Sequence, residues 1–317
     1  MPSTDRYCIV TPTWSGDLDH FRLLRRSLAR SRFAETPHYV VVQTEDREAF
    51  EEFNQPPVRL RTTAEVLPAS VERRRRRATA LSKRFGRHWT RICGSLNRVW
   101  GWPRWPAYTG WHTQQICKLM VAKTADVDRV IVLDSDVIVT PHATPADFDG
   151  EGRYRCFATW EATDSLGSKV SNWVQQSEKL IGQAAVIDGQ ANTYFDTPFI
   201  LETPVVRAMI EWLESTYGRP WWARLLAQPP RRWSEFGTYK AFLATHYDAA
   251  QVDWCSPEVC RYLYDASDVA ALIGEVRQML GDESVHYLTI HSQSNGREDW
   301  GAWQFADQLA DVIGESR

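Results

Sequence analysis

Dense apolar, β-branched runs alternate along this chain with stretches of helical spacing. Tyr7-Cys-Ile-Val-Thr-Pro-Thr-Trp14, His38-Tyr-Val-Val-Val-Gln-Thr44 and Val58-Arg-Leu-Arg61 read as three strands, the first ending in a Thr-Pro-Thr turn. Between the first two, Phe21, Leu23, Leu24 and Leu28 recur every three or four residues, which predicts a helix opened by Asp17 or Asp19. Glu45-Asp46-Arg47 caps a short helix running to Phe53. Strand, helix, strand, helix, strand with short connections predicts a parallel, doubly wound α/β sheet.

The most informative run is Arg129-Val-Ile-Val-Leu-Asp-Ser-Asp-Val-Ile-Val-Thr140, where unbroken apolarity predicts a buried strand that delivers Asp134 and Asp136 to its end. Before it, residues 111–123 have helical spacing, with Trp111, Gln115 and Lys118 on one face and Ile116, Leu119 and Met120 on another. After it come strands at Phe157–Trp160 and Ala184–Ile187, and a turn at Tyr194-Phe-Asp-Thr-Pro-Phe leads into a further buried strand. A helix follows over Val205–Tyr217, and another starts at Ser234 with Glu235 in its first turn. Tyr287-Leu-Thr-Ile-His-Ser-Gln-Ser-Asn-Gly296 predicts a late strand opening into a polar loop, then a last helix over Trp300–Ile313.

Composition narrows the class. The chain has 317 residues, 43% of them hydrophobic, enough for one large α/β domain or two smaller ones. No apolar run approaches the roughly 18 residues of a membrane span, and Met1-Pro-Ser-Thr-Asp is no signal peptide. Six cysteines without a CxxC or Cys/His cluster point to reduced, mostly buried thiols in a cytoplasmic protein and away from structural zinc. Fifteen tryptophans suit sugar stacking and core filling alike. A net charge of −3 makes no general case for nucleic acid, but the charge is uneven. Residues 73–123 hold thirteen basic residues and no acidic one, leaving 24 basic against 40 acidic residues elsewhere, a remainder of −16. Arg73–Arg77 is an unbroken basic run, and Leu81, Phe85, Trp89, Ile92 and Leu96 follow at helical spacing, interrupted by Gly86. Such an amphipathic basic helix suits an anionic membrane surface over residues 73–98, or its own domain. No nucleic-acid recognition motif accompanies it. Trp100-Gly-Trp-Pro-Arg-Trp-Pro-Ala-Tyr then reads as irregular.

The candidate chemistry gathers at strand exits, where ligands of open α/β sheets bind. Asp134 and Asp136 have no Lys or Arg within four residues, so a divalent cation shared with a phosphate accounts for them; a turn pair after a core strand is the plainer alternative. Lys118 can balance those carboxylates or meet a phosphate. Glu235 suits the dipole of its helix or service as a general base. His291, at a strand exit, is a candidate third ligand, and Trp14 can stack on a ring.

In this order the motifs resemble those of a GT-A-fold glycosyltransferase: Thr11-Pro-Thr, Gln-Gln-x-x-Lys (114–118), Asp-Ser-Asp (134–136), Thr197-Pro-Phe, Ser-Glu-Phe-x-x-Tyr (234–239) and the late His291. More narrowly, the chain is similar to largely uncharacterised bacterial transferases of surface polysaccharide. The resemblance implies one catalytic domain over 1–317, a Rossmann-like, mostly parallel sheet flanked by helices. A basic, Trp-rich insertion at 68–110 would have no counterpart in the core fold, and a strand-loop-helix at 287–317 would close the site. It implies Mn²⁺ or Mg²⁺ held by Asp134, Asp136 and His291 against a nucleotide diphosphate. Thr11, Pro12, Thr13, Asp46, Gln115, Lys118 and Ser135 would serve the nucleotide-sugar donor, a UDP-sugar by default. Thr197, Pro198 and Trp14 would meet sugar or acceptor, and Glu235 or Asp188 would deprotonate the acceptor hydroxyl. The acceptor expected is a glycan or lipid-linked glycan, at the inner face of the cell membrane, with inversion and retention both open. Two other readings compete. Val132-Leu-Asp-Ser-Asp-Val also fits the motif of haloacid-dehalogenase-like phosphatases, with Asp134 as nucleophile and Asp136 as acid, although that motif normally opens its chain. The other is a non-catalytic, Trp-rich carbohydrate-binding or membrane-associated protein.

Overall fold

The computed structural model describes residues 7–100, 109–228, 232–265, 268–295 and 302–315. The first strand, β1 (Tyr7–Thr13), carries Cys8, Ile9 and Val10 into the core. Helix α1 (Leu18–Leu28) buries Phe21, Leu24 and Leu28 as its spacing predicts and leads to β2 (His38–Val42). A short helix α2 (Arg47–Phe50) precedes β3 (Val58–Thr62), and α3 (Thr63–Val66) opens with a capping box between Thr62 and Glu65. The basic helix α4 spans Ala69–Trp100 with a break at Gly86, where φ is +54°, a backbone region that glycine enters without a Cβ clash. Residues 101–108 of the Pro- and Trp-rich stretch lie outside the described residues.

Helix α5 (Thr109–Thr124) leads into β4 (Arg129–Val132), and the apolar run then splits: β5 (Val137–Val139) belongs to another sheet. The expected strand at 157–160 also divides, into β6 (Tyr154–Phe157) and β7 (Trp160–Ala162), because Ala158 and Thr159 turn the chain between two sheets. Helix α6 (Ser168–Ile181), which the sequence reading passed over, comes next. The expected 184–187 strand shortens to β8 (Val186–Ile187), hairpinned onto β9 (Gln190–Asn192). Then follow β10 (Phe199–Glu202), α7 (Thr203–Tyr217), α8 (Trp221–Leu226), α9 (Glu235–His246), β11 (Val252–Cys255) and β12 (Cys260–Asp265). The chain finishes with α10 (Val269–Leu280), β13 (Tyr287–Asn295) and α11 (Ala302–Glu315); Trp300, the expected start of the last helix, lies outside the described residues.

The main sheet has the order β10-β4-β1-β2-β3. Its β4, β1, β2 and β3 are parallel, and β10 joins β4 antiparallel. The fold class is therefore mixed α/β with a mostly parallel central sheet, as the sequence predicts. A second sheet, β12-β13-β5, packs Ile138, Leu288 and Ile290 with Leu272, Val276, Leu309 and Val312 in a separate apolar cluster. Leu23 of α1 joins that cluster while Phe21, Leu24 and Leu28 join the main one, so α1 is wedged between the two sheets. Among the described residues no helix is long and apolar enough to cross a membrane. Cys8, Cys117, Cys156, Cys255 and Cys260 are free, and burial pushes the Cys8 thiol up to about 12, as expected of an inert core thiol.

A polar relay fastens β1, β2 and β4 inside this core. Thr11 donates its hydroxyl proton to the Leu133 carbonyl at 2.7 Å, so His38 Nε2, 2.9 Å from Thr11 Oγ1, is the donor to it. His38 Nδ1 then accepts from Arg25 at 2.9 Å. Burial, with Arg25 adding, holds His38 well below the ordinary 6.5, so it is neutral in the fold. Below pH 6.5 the unfolded chain takes up a proton at His38 that the native state refuses, so stability falls with pH through this group. The slope is about 1.4 kcal/mol per pH unit. In urea titrations, the stability advantage of the wild type over His38→Gln should shrink steadily from about pH 6.5 to about pH 5. A constant difference would contradict the neutral assignment.

Candidate functional site

Strand order dictates where a ligand can enter. The chain lays β2 and β3 on one side of β1 and then returns to place β4 on the other. The connections leave β1 and β4 in opposite directions, opening a crevice between their carboxyl ends. Thr13 and Trp14 stand at the end of β1; Asp134, Ser135 and Asp136 stand at the end of β4.

From β4 the chain crosses to the second sheet through a turn closed by Val137 N donating to the Asp134 carbonyl at 3.2 Å. Ile290 N of β13 donates to the Asp136 carbonyl at 3.1 Å, and Asp134 N donates to Thr197 Oγ1 at 3.4 Å. Thr289 of β13 donates in turn to the Thr197 carbonyl at 3.3 Å. The Asp-x-Asp turn is thus clamped from both sides, by the Thr197 hydroxyl and by the backbone of β13.

Helix α5 aims its polar stripe at this turn. Lys118 Nζ lies 3.0 Å from Asp134 Oδ1 and 3.2 Å from Glu235 Oε1, and its side chain is only 6% exposed. One turn earlier, Gln115 Oε1 accepts from Glu235 N at 2.9 Å. Trp111 Nε1 donates to the Trp233 carbonyl at 3.2 Å. The predicted i, i+4, i+7 face therefore docks on the start of α9, which Ser234 caps through a 3.5 Å contact from Gly237 N. Burial alone would depress Lys118, but Asp134 and Glu235 outweigh it and hold the amine charged, with its pKa raised. Glu235 also moves up, through burial first; Lys118 opposes, but this cation is shared with Asp134, whose own charge adds to the rise.

Beyond Asp134 lies a second group that the sequence reading missed. Asp196, one residue before Thr197, has its carboxyl raised by burial, with His291 and Lys169 opposing and Asp134 adding. His291 of β13 is lowered by burial, with Asp196 opposing. Its ring stacks on Tyr264 at 4.4 Å and 15°. The loop carrying Asp196 is held from below by Lys240 of α9, which donates to the carbonyls of Asn192 at 2.9 Å and Tyr194 at 2.6 Å. The signal for Asp196 was present in Tyr194-Phe-Asp-Thr-Pro, but nothing in an isolated Asp before Thr-Pro says which way it faces.

Other candidates are placed as follows. Thr11, Pro12 and Thr13 are buried within β1 and do not form a turn, because the strand continues to Thr13; Thr11 is committed to the relay above. Trp14 is 46% exposed, its Nε1 donates to Asp17 at 2.7 Å, and its ring covers the space a side chain at Gly16 would need. Asp46, after β2, accepts from Ser15 N at 3.1 Å and so sits against the same loop. Ser135, Thr197 and Pro198 are buried at the crossing. Asp188 is the exception: it is exposed, with φ +49°, followed by Gly189 at φ +76°, in the two-residue turn between β8 and β9. Asp-Gly is what such a turn requires, which accounts for the residue without chemistry.

The expected cation meets a mixed test. Among the described residues no three His, Cys, Asp or Glu side chains form a ready ligand group. Yet Asp134 and Asp136 offer hard oxygen donors, and the buried Nε2 of His291 has no hydrogen-bond partner; nor do the buried Gln115 Nε2 and Thr13 Oγ1. Such orphaned atoms are costly unless a ligand satisfies them. The donor chemistry fits Mn²⁺ or Mg²⁺.

Fold and site together define a mostly parallel α/β protein with a carboxylate–lysine crevice at its topological switch point. The chain belongs to a family described as a family of unknown function (DUF6492), which it matches over residues 8–302. No curated protein matches it. Among solved structures it is similar to the WbbM bifunctional glycosyltransferase, with 13% identity and a TM-score of 0.45, covering all of this chain and 51% of that one. It is similar also to the galactosyltransferase LgtC in complex with donor and acceptor sugar analogs, with 13% identity and a TM-score of 0.44 over 96% of this chain and 95% of that one. A third is mouse xyloside xylosyltransferase 1, with 12% identity and a TM-score of 0.44 over 91% and 99%. The chain thus spans about half the length of the first and nearly all of the other two. Identities and scores this low assign no activity.

Lys118→Met leaves the buried Glu235 carboxylate without its cation, and should lower the unfolding free energy by about 3–5 kcal/mol. The double variant Lys118→Met/Glu235→Met should lose clearly less than the sum of the single losses, because both charges go together. Urea denaturation of the four proteins checks this; strict additivity would mean the two groups do not interact.

Proposed function

We propose that this chain is a glycosyltransferase that moves a sugar from a nucleotide-diphosphate sugar, a UDP-sugar in the first instance, to a hydroxyl of a glycan or lipid-linked glycan. The observation that carries the reading is the buried Lys118 poised between Asp134 and Glu235 at the switch point of a parallel sheet. The crevice has what such a donor needs. Trp14 offers an exposed ring, and the Ser15–Asp46 contact closes the rim beside it. Lys118 supplies positive charge for the diphosphate, and Gln115 and Thr13 supply unpaired polar atoms in the wall. Asp134, Asp136 and His291 would hold the divalent cation. When bound, that cation offsets the charge that develops on the leaving diphosphate.

The chain's own groups supply the remaining roles. Lys118 adds fixed positive charge from a buried position, where electrostatics count for more than at the surface. Glu235, raised by burial, is suited to take the proton of the attacking hydroxyl. Asp196, whose charge is felt by His291 and Asp134, is a candidate to hold sugar hydroxyls. The phosphatase reading gains no support: the Asp134 strand is the fourth in chain order and follows the completed β1, β2 and β3.

Calorimetric titration of UDP tests the donor site. Binding should require Mn²⁺, vanish with EDTA, and fail in Asp136→Ala; no binding of UDP, GDP, CMP or TDP under any of these conditions would sink the reading. Once a sugar nucleotide is found, Glu235→Gln should lower turnover by about a hundredfold or more while leaving UDP affinity nearly intact. Unchanged turnover would move the base elsewhere.

A further inference from the structure

Helix α4 begins as a two-faced element of unusual composition. Val71, Glu72, Arg75 and Ala78 are buried against the domain. Arg75, 1% exposed, is the anchor: its guanidinium reaches Glu72 at 2.7 Å, Glu45 at 2.7 Å and Gln43 at 2.9 Å. Thr44 and Thr63 donate to the same Glu72 carboxylate at 3.2 Å. One arginine of the Arg73–Arg77 run is thus internal, and this part of the amphipathic helix packs on its own domain. Arg73, Arg77 and Arg84, at i, i+4 and i+11, form a stripe on the opposite side, and all are exposed. Arg74, Arg76 and Lys83 flank that stripe and are exposed too. At its end Phe85 is 47% exposed, with the Arg84 guanidinium 5.5 Å above its ring. Arg76 alone of these leans on Glu45, at 3.3 Å.

The geometry points to an interaction surface: we infer that the outer face of α4 docks on an anionic phospholipid bilayer. Charge complementarity favours that partner, since the segment 73–123 contains no acid while the rest of the chain carries a negative excess that a bilayer of the same sign would repel. Membrane contact must then be confined to this face. An exposed aromatic among cations suits the headgroup boundary, where the ring can leave water while the guanidinium groups meet phosphates. No base-reading element accompanies the charge, which sets nucleic acid second. Arg75 also locates the docked face. By binding Gln43 and Glu45 it fixes α4 beside Asp46, so the bilayer would lie next to the strand exits. The inference does not depend on the donor assignment.

Vesicle co-sedimentation tests it with the full chain and no nucleotide. The protein should bind vesicles of phosphatidylcholine with about one-third phosphatidylglycerol, and be released by raising the salt several-fold. It should ignore vesicles of phosphatidylcholine alone. The charge reversal R73E/R77E/R84E should weaken binding at least a hundredfold, from about fivefold per arginine lost; F85S should weaken it several-fold. A thermal melt of each variant shows that the fold is kept. Equal binding to neutral vesicles, no binding to anionic ones, or unchanged affinity in folded R73E/R77E/R84E would overturn the proposal. So would tighter binding to a short nucleic-acid duplex than to the anionic vesicles.

Discussion

One buried amine organises the molecule's polar interior. Lys118 is shared by two carboxylates from distant parts of the chain, Asp134 after β4 and Glu235 at the start of α9. A lysine this far from water is tolerable only if its charge is compensated, and two carboxylates around a single amine leave a net negative site. That imbalance gives the crevice its character. It keeps α5, β4 and α9 in register through one shared charge, and it leaves carboxylate capacity that a cation or a hydrogen-bonding ligand can use. Aromatic packing lies directly against it: the Lys118 amine is 4.8 Å from the centre of the Phe236 ring of α9, on which Phe199 of β10 stacks at 4.0 Å.

The split of the 129–140 run shows why this arrangement needs two sheets. If β4 continued straight, Asp134 and Asp136 would project along a strand edge with both neighbours already paired. Instead β4 ends in the main sheet, Ser135 is buried at the crossing, and β5 starts a second sheet with β13. The crossing brings His291 of β13 and Asp196 of the β9–β10 loop toward a turn that neither approaches in sequence. Lys240 holds that loop by its backbone carbonyls, so burial of a second lysine shapes the far wall of the crevice as Lys118 shapes the near one. Burial lowers the Lys240 amine to about 7, outweighing the opposing influence of Cys156 and Asp196, in contrast to Lys118, which two carboxylates meet directly.

Legibility followed the range of the interactions. Strands β1, β2, β3 and β4 and helix α7 were readable because one-dimensional apolar spacing reflects burial directly. The α5 stripe was readable for the same reason, and Gln115 and Lys118 face the site as their spacing requires. Arg75 was not: within five consecutive arginines, nothing local marks the one that finds Glu72 and Glu45. Asp196 and Asp188 show the same limit from opposite sides. Both are acidic residues near a turn, yet one is drawn into the crevice by a loop clamped from below and the other is exposed in a hairpin that wants Asp-Gly. The β6–β7 break and the β12–β13 pairing were hidden too, being decisions made between sheets.

The two lysine clusters and the α4 anchor share a physical logic. Each buries a basic side chain where a long-range contact must be fixed, and each leaves the neighbouring exposed positions open to form a binding surface. In α4, Arg75 is satisfied internally by Glu72, Glu45 and Gln43, so of the exposed arginines around it only Arg76, through Glu45, helps to hold that end of the helix down. In the crevice, Lys118 secures α5 and α9, so Trp14 and Asp46 at the rim are not needed to hold the sheet together. Structural and recognition charges are thereby separated within single elements. A surface built in this way can change its outward residues without loosening the scaffold, whereas replacing an inward cation disturbs every element it joins.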